Sequence, residues 1–214
     1  MGQTASSLPE AELEALSIES GLSRSGILTL YKRFISLSTH RDKNTNEYFL
    51  TENDFLSIEE LDKNPLGRRI IDAFFADAEV LQREGESKRV YFRDFVKVLS
   101  HFRPINKNKP HPWNSREAKL RFAFTMYDLN KSGTITKDEF KDILQMMIGK
   151  NVPVEQVNSI ADRTMSEADR DGDGCITFQE FCNVRSKLEY TLKILIQAME
   201  KTDIEQKMSF RFLT

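Results

Sequence analysis

The stretch Asp169-Arg170-Asp171-Gly172-Asp173-Gly174-Cys175-Ile176-Thr177-Phe178-Gln179-Glu180 decides the fold of this chain, and we call it the fourth loop. It has carboxylates at positions one, three, five and twelve, glycine at six and an aliphatic residue at eight. This spacing predicts a loop that wraps Ca²⁺, a cation that takes six to eight oxygen ligands. The expected ligands are Asp169, Asp171, Asp173, the carbonyl of Cys175, a water held by Thr177, and both carboxylate oxygens of Glu180.

A second stretch, the third loop, has glycine, the aliphatic residue and the final glutamate in the same register: Asp128-Leu129-Asn130-Lys131-Ser132-Gly133-Thr134-Ile135-Thr136-Lys137-Asp138-Glu139. Its expected ligands are Asp128, Asn130, Ser132, the carbonyl of Thr134, and Glu139. Two of these ligands are carboxylates, against four in the fourth loop, so charge alone predicts weaker binding. Together the loops predict two Ca²⁺ ions per chain.

Outward from these loops, one pattern occurs four times: a helix, a polar loop, one aliphatic residue, and a second helix with Asp or Glu before Phe in its first turn. The first helices and the acid-Phe pairs are 28–37 with Asp54-Phe55, 70–75 with Asp94-Phe95, 120–127 with Glu139-Phe140, and 160–168 with Glu180-Phe181. N-cap residues predict helix starts at Asn64-Pro65, Asn114, Thr136 and Thr177. The sequence therefore predicts an all-α fold with very short strands between paired loops.

The first and second loops lack the calcium pattern. Counting back from Asp54 places Lys43 at the first ligand position and Tyr48 at the glycine position. Counting back from Asp94 places Arg83 at the first ligand position of the second loop, Gly85 and Ser87 at the next two ligand positions, and Lys88 at the glycine position. A cation at a ligand position excludes Ca²⁺, so we expect these two units to keep their helix pairing and to lose the ion.

Residues 103–113 contain three of the six prolines and three basic residues, but no acid. We expect a solvated hinge that splits the chain into two lobes, and a docking or targeting segment is the alternative. The chain then divides into an N-terminal acylated segment (1–22), a pair of units with degenerate loops (23–102), this linker (103–113), a calcium-binding pair with an extended exit helix (114–202) and a tail (203–214).

Composition narrows the functional classes. The formal net charge of −2 removes a general attraction to nucleic acid. Two cysteines, Cys175 and Cys182, cannot form a disulfide framework in a chain of 214 residues, so we expect a cytosolic protein.

His40, His101 and His111 are scattered and are expected in packing or surface roles. We find no catalytic motif in the sequence, and we expect a protein that is not an enzyme.

The first six residues, Met1-Gly2-Gln3-Thr4-Ala5-Ser6, fit the motif for N-myristoylation of Gly2 after removal of Met1. An ordinary disordered start is the alternative. The charged side chains in the first twenty residues are all acidic, so an anionic leaflet repels this segment. Because one myristoyl chain gives only marginal membrane binding, a membrane-bound protein partner would have to supply the second signal.

Several runs outside the loops resemble the calcineurin B homologous proteins, a family of EF-hand proteins. These runs are the acylation start, Asn64-Pro65-Leu66-Gly67 with Ile70-Ile71 and Ala73-Phe74-Phe75, Ser100-His101-Phe102-Arg103-Pro104-Ile105, Ser159-Ile160-Ala161-Asp162-Arg163-Thr164, and Glu205-Gln206-Lys207-Met208-Ser209-Phe210-Arg211-Phe212-Leu213. Two degenerate loops followed by two intact ones also match this family better than calcineurin B itself. One departure is the exit helix between Phe181 and Asp203, which is longer than the family pattern.

The resemblance implies four EF-hand helix-loop-helix units in two paired lobes with a hydrophobic groove. The groove would bind a cytoplasmic amphipathic helix of a plasma-membrane sodium/proton exchanger, and the protein would support the activity, stability and membrane location of that exchanger, and so pH regulation. It would be cytoplasmic and peripheral at the plasma membrane. Two other functions stay open: a regulatory subunit or inhibitor of a calcineurin-like phosphatase, and a general calcium sensor.

Overall fold

The computed structural model describes residues 8–77, 88–103, 109, 111–148 and 152–183. Gly2, most of the second loop, part of the linker, the exit helix beyond Asn183 and the tail lie outside the described residues. The expectations for these segments stay predictions.

The described part of the chain contains ten α-helices and five short strands. The helices are α1 (Glu10–Ser20), α2 (Arg24–Leu37), α3 (Glu52–Leu56), α4 (Glu59–Asp62), α5 (Gly67–Asp77), α6 (Phe92–Ser100), α7 (Arg116–Tyr127), α8 (Lys137–Ile148), α9 (Val154–Ala168) and α10 (Phe178–Asn183). The strands are β1 (His40–Arg41), β2 (Tyr48–Leu50), β3 (Val90–Tyr91), β4 (Thr134–Thr136) and β5 (Cys175–Thr177), and a 3-10 turn covers Pro112–Asn114. The predicted helical fold with very short strands is confirmed.

Two of the four predicted helix starts are confirmed by side-chain caps. The N–H and the hydroxyl of Thr136 donate to the carboxylate of Glu139 at 2.9 and 2.8 Å, at the start of α8. Thr177 donates to Glu180 in the same way at the start of α10, with both distances 2.8 Å. These reciprocal pairs satisfy backbone N–H groups that have no partner within the helix.

The other two predicted starts are wrong by one to three residues. Ser115, not Asn114, caps α7, because its hydroxyl accepts from the N–H of Ala118 at 3.1 Å and Asn114 already belongs to the 3-10 turn. Asn64 does not begin α5, which starts at Gly67. The Asn64 side-chain oxygen accepts from the N–H of Leu66 at 2.9 Å, so it closes the turn that leads into the helix.

Antiparallel strands join the loops two by two. In the second half, β4 pairs with β5, and the buried Ile135 lies opposite the buried Ile176. In the first half, β2 pairs with β3, and Leu50 lies opposite Val90, both without solvent exposure. Each pair fixes the separation of two helix-connecting segments and fills the space between them with aliphatic side chains.

The first loop does not follow the predicted register, in which Lys43 takes the first position. β1 and β2 form a hairpin, and the residue that holds its turn is Asp42, one position before the predicted loop. The Asp42 carboxylate accepts from the N–H groups of Asn44 and Thr45 at 2.8 and 3.1 Å. A short turn of this kind stabilises itself through the aspartate side chain and needs no metal.

The charge of Asp42 is balanced from within the chain. Arg89, just before β3, places Nη1 at 2.7 Å from Oδ2 of Asp42, and the hydroxyl of Tyr91 donates to the same oxygen at 3.1 Å. The hydrogen bonds from Asn44 and Thr45, assisted by Tyr91 and Arg89, hold the pKa of Asp42 below its usual value of 3.8. An internal cation therefore links the two units of the first half.

Replacing Asp42 by Asn should destabilise the protein at neutral pH and have less effect in acid. The change keeps an oxygen for the turn but removes the charge that pairs with Arg89. Because the pKa of Asp42 is lowered in the folded state, its stabilising contribution is complete above about pH 4 and decreases as the pH falls through the lowered pKa. Urea unfolding without calcium at pH 7 and pH 3 measures this.

Asp62→Asn is the matched control, since it removes the same charge from an exposed position. A loss of stability that is equal for both variants at pH 7, or that grows towards pH 3, would contradict the role of the Asp42 charge.

The two halves share one hydrophobic core. Buried side chains from Leu8 to Phe181 form a single cluster, and α5 of the first half packs against α7 of the second half. Helix α1 packs against α2, α6 and the 3-10 turn. Part of the predicted N-terminal segment is therefore built into the folded body.

Two described residues of the linker, Arg103 and His111, bind the end of α1, and the solvated hinge stays a prediction for the rest of the linker. His111 is buried, and its Nδ1 donates to the carbonyl of Ile18 at 2.7 Å. Arg103 donates to the carbonyl of Gly21 at 2.9 Å. Gly21 ends α1 with a φ of 74°, and a Cβ at this position would lie 2.5 Å from the ring of His111. The linker thereby fastens α1 to the junction of the two halves.

Candidate metal centre

The fourth loop, between α9 and α10, brings three carboxylates together. One oxygen each of Asp169, Asp171 and Asp173 lie within 4.8 Å of one another. Gly172 and Gly174 have φ values of 76° and 85°, and a Cβ at either position would meet nothing within 4 Å. Glycine is needed at these two places for its backbone conformation, not for space.

Backbone N–H groups orient these carboxylates. The two oxygens of Asp169 accept from Gly172 and Gly174 at 2.7 and 2.9 Å. An oxygen of Asp173 accepts from the N–H of Cys175 at 2.8 Å. The loop therefore holds its own acidic side chains towards the inside of the turn, where a cation would lie.

Glu180, on α10, extends from the helix back over the fourth loop. Its Oε2 accepts from the N–H and the hydroxyl of Thr177, and its Oε1 accepts from the N–H of Arg170 at 2.8 Å. The hydrogen bond from the N–H of Thr177, followed by the one from Arg170, lowers the pKa of Glu180 to about 2. Glu180 is therefore a carboxylate at physiological pH, with both oxygens near the loop.

Neighbouring negative charges act on Asp171. A hydrogen bond from the N–H of Asp173 favours its ionised form. Its pKa nevertheless lies above the usual value, because burial and the charges of the other three loop carboxylates outweigh that bond. A divalent cation bound among these oxygens would relieve this repulsion.

The third loop, between α7 and α8, has the same arrangement with fewer charges. The oxygens of the buried Asp128 accept from the N–H groups of Ser132 and Gly133, both at 2.9 Å. The side-chain oxygen of Asn130 accepts from Ser132 at 2.8 Å, and the Ser132 hydroxyl donates to the carbonyl of Thr134 at 3.0 Å. These predicted ligands thus lie in one hydrogen-bonded cluster.

Glu139 corresponds to Glu180 in the third loop. Its Oε1 accepts from the N–H groups of Leu129 and Asn130, both at 3.0 Å. Burial would raise the pKa of Glu139, but the hydrogen bonds from Thr136, Asn130 and Leu129 together lower it. Both loops therefore end on an ionised glutamate that reaches back to the beginning of the loop.

The donor chemistry of both loops fits Ca²⁺. The side chains directed into the loops offer carboxylate, amide and hydroxyl oxygens, which are the hard ligands that Ca²⁺ prefers. Cys175 would contribute its backbone carbonyl. Burial raises the pKa of the Cys182 thiol, which keeps this thiol protonated and unreactive. When bound, Ca²⁺ would supply the positive charge that these clustered oxygens lack.

Residues 117–184 match the family model of an EF-hand domain pair. This segment is an EF-hand pair. It contains both intact loops, and the match supports membership of the EF-hand superfamily and calcium binding by this part of the chain. Within the EF-hand pair, β4 and β5 join the two loops directly, so that order in one loop is transmitted to the other. The number of ions and the ligand set stay predictions.

The charge pair of Asp42 with Arg89, which the loop pattern did not predict, stands in the first half where the EF-hand pair has its ligands. Asp42 immediately precedes Lys43, and Arg89 immediately precedes Val90 of the paired strand. The sequence did offer a signal for this pair, namely an acidic and a basic residue that each lie next to a strand predicted to pair with the other. The packing role expected for the histidines is confirmed for His101, which is buried and stacks on Phe122 with ring centroids 4.8 Å apart.

Glu180→Gln should remove one of two calcium sites in the EF-hand pair. The amide has one oxygen and no charge, so bidentate coordination is lost, and the third loop should bind about tenfold more weakly because β4 and β5 join the loops. Glu139→Gln should remove the other site, and the double variant should bind no calcium. Isothermal titration calorimetry measures the number of sites and their affinities.

Asp138→Asn is the control, because Asp138 is exposed beside Glu139 and pairs with Lys141 at 2.7 Å. It should keep both sites. Four ions bound to the unaltered protein, or two ions bound to the double variant, would contradict the assignment.

Proposed function

We propose that this protein is a calcium-binding regulatory subunit, not an enzyme, that holds an amphipathic helix of a membrane protein. The observation that carries the proposal is the different charge balance of the two halves. In the EF-hand pair the clustered carboxylates need a cation from solution to balance their negative charge. In the first half, Arg89 of the same chain balances the charge of Asp42. One half of the protein therefore depends on calcium, and the other half does not.

In this proposal the first half is a pair of degenerate EF-hands that stays open at all calcium concentrations. Sensor EF-hands open when calcium binds, but two units that are joined by their own side chains lack that signal. An open pair presents an apolar groove, and a large apolar groove is unstable in water. It is expected to be filled by a helix with apolar residues at i, i+3 or i+4, and i+7.

The partner that we propose is a juxtamembrane cytoplasmic helix of a plasma-membrane sodium/proton exchanger, whose activity, stability and location the protein would support. The support is the resemblance of several runs to the calcineurin B homologous proteins. Two of these runs lie at the junction of the halves: Ala73 of α5 lines a cavity together with Ala118 and Phe122 of α7, and the Ser100 hydroxyl donates to the carbonyl of Trp113 at 3.2 Å. An isolated EF-hand pair would have no need of such runs.

A synthetic exchanger helix should bind the purified protein both with calcium and with chelator. Calcium should increase the affinity by about five- to one-hundredfold, since it stabilises only the EF-hand pair. Fluorescence anisotropy of the labelled peptide measures both affinities. The Glu139→Gln/Glu180→Gln double variant should behave in calcium as the unaltered protein does in chelator.

A peptide from the regulatory-subunit-binding helix of a phosphatase catalytic subunit serves as the competitor. If the exchanger peptide fails to bind in calcium, or binds only in calcium, the proposed mechanism is wrong. If the phosphatase peptide binds more tightly, the phosphatase alternative replaces the exchanger.

We also propose that Gly2 carries a myristoyl chain and that the protein acts at the cytoplasmic face of the plasma membrane. Among the described helices, none has the length and apolar character needed to cross a bilayer. A single acyl chain binds membranes reversibly, and the acidic N-terminus adds no attraction to anionic lipid. The exchanger would provide the larger part of the attachment.

Gly2→Ala should reduce membrane association in cells without abolishing it, because only the acyl chain is lost while the protein partner still binds. Membrane fractionation measures the distribution. The intact mass of the mature protein should include one myristoyl group in the unaltered chain and none in the variant. An unmodified or acetylated N-terminus in the unaltered protein would contradict the lipid assignment.

A further inference from the structure

Arg69, on α5, makes several polar contacts between the two halves. Its Nε donates to the carbonyl of Met126 at 3.1 Å, and its Nη2 donates to the carbonyls of Thr125 and Met126 at 2.9 and 3.1 Å. Its Nη1 pairs with Asp72 on the same helix at 3.2 Å. The side chain is only 13% exposed, so it is held between α5 and α7.

The two carbonyls that Arg69 binds belong to the last turn of α7. The final carbonyls of a helix have no partner within the helix, and a cation at this end also interacts favourably with the helix dipole. The next residue after α7 is Asp128, the first predicted ligand of the third loop, and its N–H still donates to the carbonyl of Phe124 at 3.0 Å. Arg69 therefore holds the end of the helix from which the third loop starts.

The third loop itself also lies against the first half. Leu129 and Lys131 line a cleft of about 670 Å³ together with Arg69, Asp72 and other residues of the first half. Asp128 is buried, and Leu129 packs against the hydrophobic core. At the positions of the fourth loop that correspond to Asp128 and Leu129, Asp169 is half-buried and Arg170 is exposed to solvent. The two calcium loops thus differ in their connection to the rest of the protein.

We propose that Arg69 is a positioning residue that couples calcium binding in the third loop to the first half of the protein. Calcium orders the third loop and the last turn of α7, and the guanidinium transmits this order to α5. This inference rests on the proposed binding of calcium by the third loop. In this proposal the third loop communicates directly with the first half. The fourth loop supports the third loop through the pairing of β4 with β5.

The experiment must distinguish the effect of the positive charge of Arg69 from the effect of its hydrogen bonds, because a cation near the third loop also repels Ca²⁺. The chain offers a matched control for this purpose. Arg68 is the neighbouring residue on α5, carries the same charge, is 64% exposed and pairs with Glu52 of the first half. Arg68→Met therefore removes one positive charge from α5 without affecting the carbonyls of α7.

The test is hydrogen exchange of the full chain, measured by mass spectrometry with calcium and with chelator. In the unaltered protein, calcium should slow exchange in β4 and β5 and should also slow exchange in α5 by about fivefold or more. Arg69→Met should abolish the effect in α5 while the effect in β4 and β5 persists. Arg68→Met should leave both effects unchanged, and Arg69→Lys, which keeps the charge but has one donor nitrogen, should reduce the effect in α5.

The outcomes separate this inference from the proposed function. If calcium slows exchange in β4 and β5 but not in α5 of the unaltered protein, the coupling is wrong and calcium binding stands. If calcium changes exchange nowhere, calcium binding itself is wrong. A full calcium effect in α5 of Arg69→Met, or equal losses in Arg69→Met and Arg68→Met, would overturn the role of Arg69. If Arg69→Met does not fold, Arg69→Lys decides, because an undiminished effect in that variant contradicts the proposal.

Discussion

In the described residues, the first, third and fourth loops use carboxylate oxygens to bind backbone N–H groups, and the negative charge of those carboxylates must then be balanced. In the fourth loop, Asp169 binds two N–H groups of its own turn, and burial together with the neighbouring carboxylates raises the pKa of Asp171. In the first half, Asp42 binds two N–H groups in a similar way, but the guanidinium of Arg89 lies 2.7 Å from it. In the proposed function, the source of the balancing charge decides which turn responds to calcium.

The short strand pairs transmit the state of one turn to the next. β4 and β5 connect the loops of the EF-hand pair through Ile135 and Ile176, and β2 and β3 connect the first half through Leu50 and Val90. Because these aliphatic pairs are buried, one turn cannot move without disturbing its partner. Each half therefore behaves as one structural unit. In the first half the balancing charge comes from the chain itself, and in the EF-hand pair it would come from an ion taken from solution.

The junction of the halves depends on side chains that bind helix ends. Arg69 occupies the last carbonyls of α7, and His111 and Arg103 occupy carbonyls at the end of α1. These carbonyls would otherwise be unsatisfied near the core, which costs more free energy than the hydrogen bond itself contributes. Arg103 and His111 of the linker are held in place by these interactions, although the composition of the linker is that of a solvated segment.

Sequence alone determined the features that depend on residues close together in the chain. The ligand types of the third and fourth loops, the failure of the first two loops to match, and the caps at Thr136 and Thr177 all involve groups within twelve positions of one another. Local spacing is sufficient here because the geometry of a turn or of a first helical turn is set by its own residues.

Tertiary structure decided the interactions between distant residues. Arg89 meets Asp42 across 47 positions, Arg69 meets Met126 across 57, and His111 meets Ile18 across 93. No periodicity in the chain encodes these distances, because they depend on which helix faces pack together after the apolar residues are buried. The physical reason is that hydrophobic burial is not directional and leaves open which polar groups meet, whereas hydrogen bonds and ion pairs require particular positions that exist only in the folded protein.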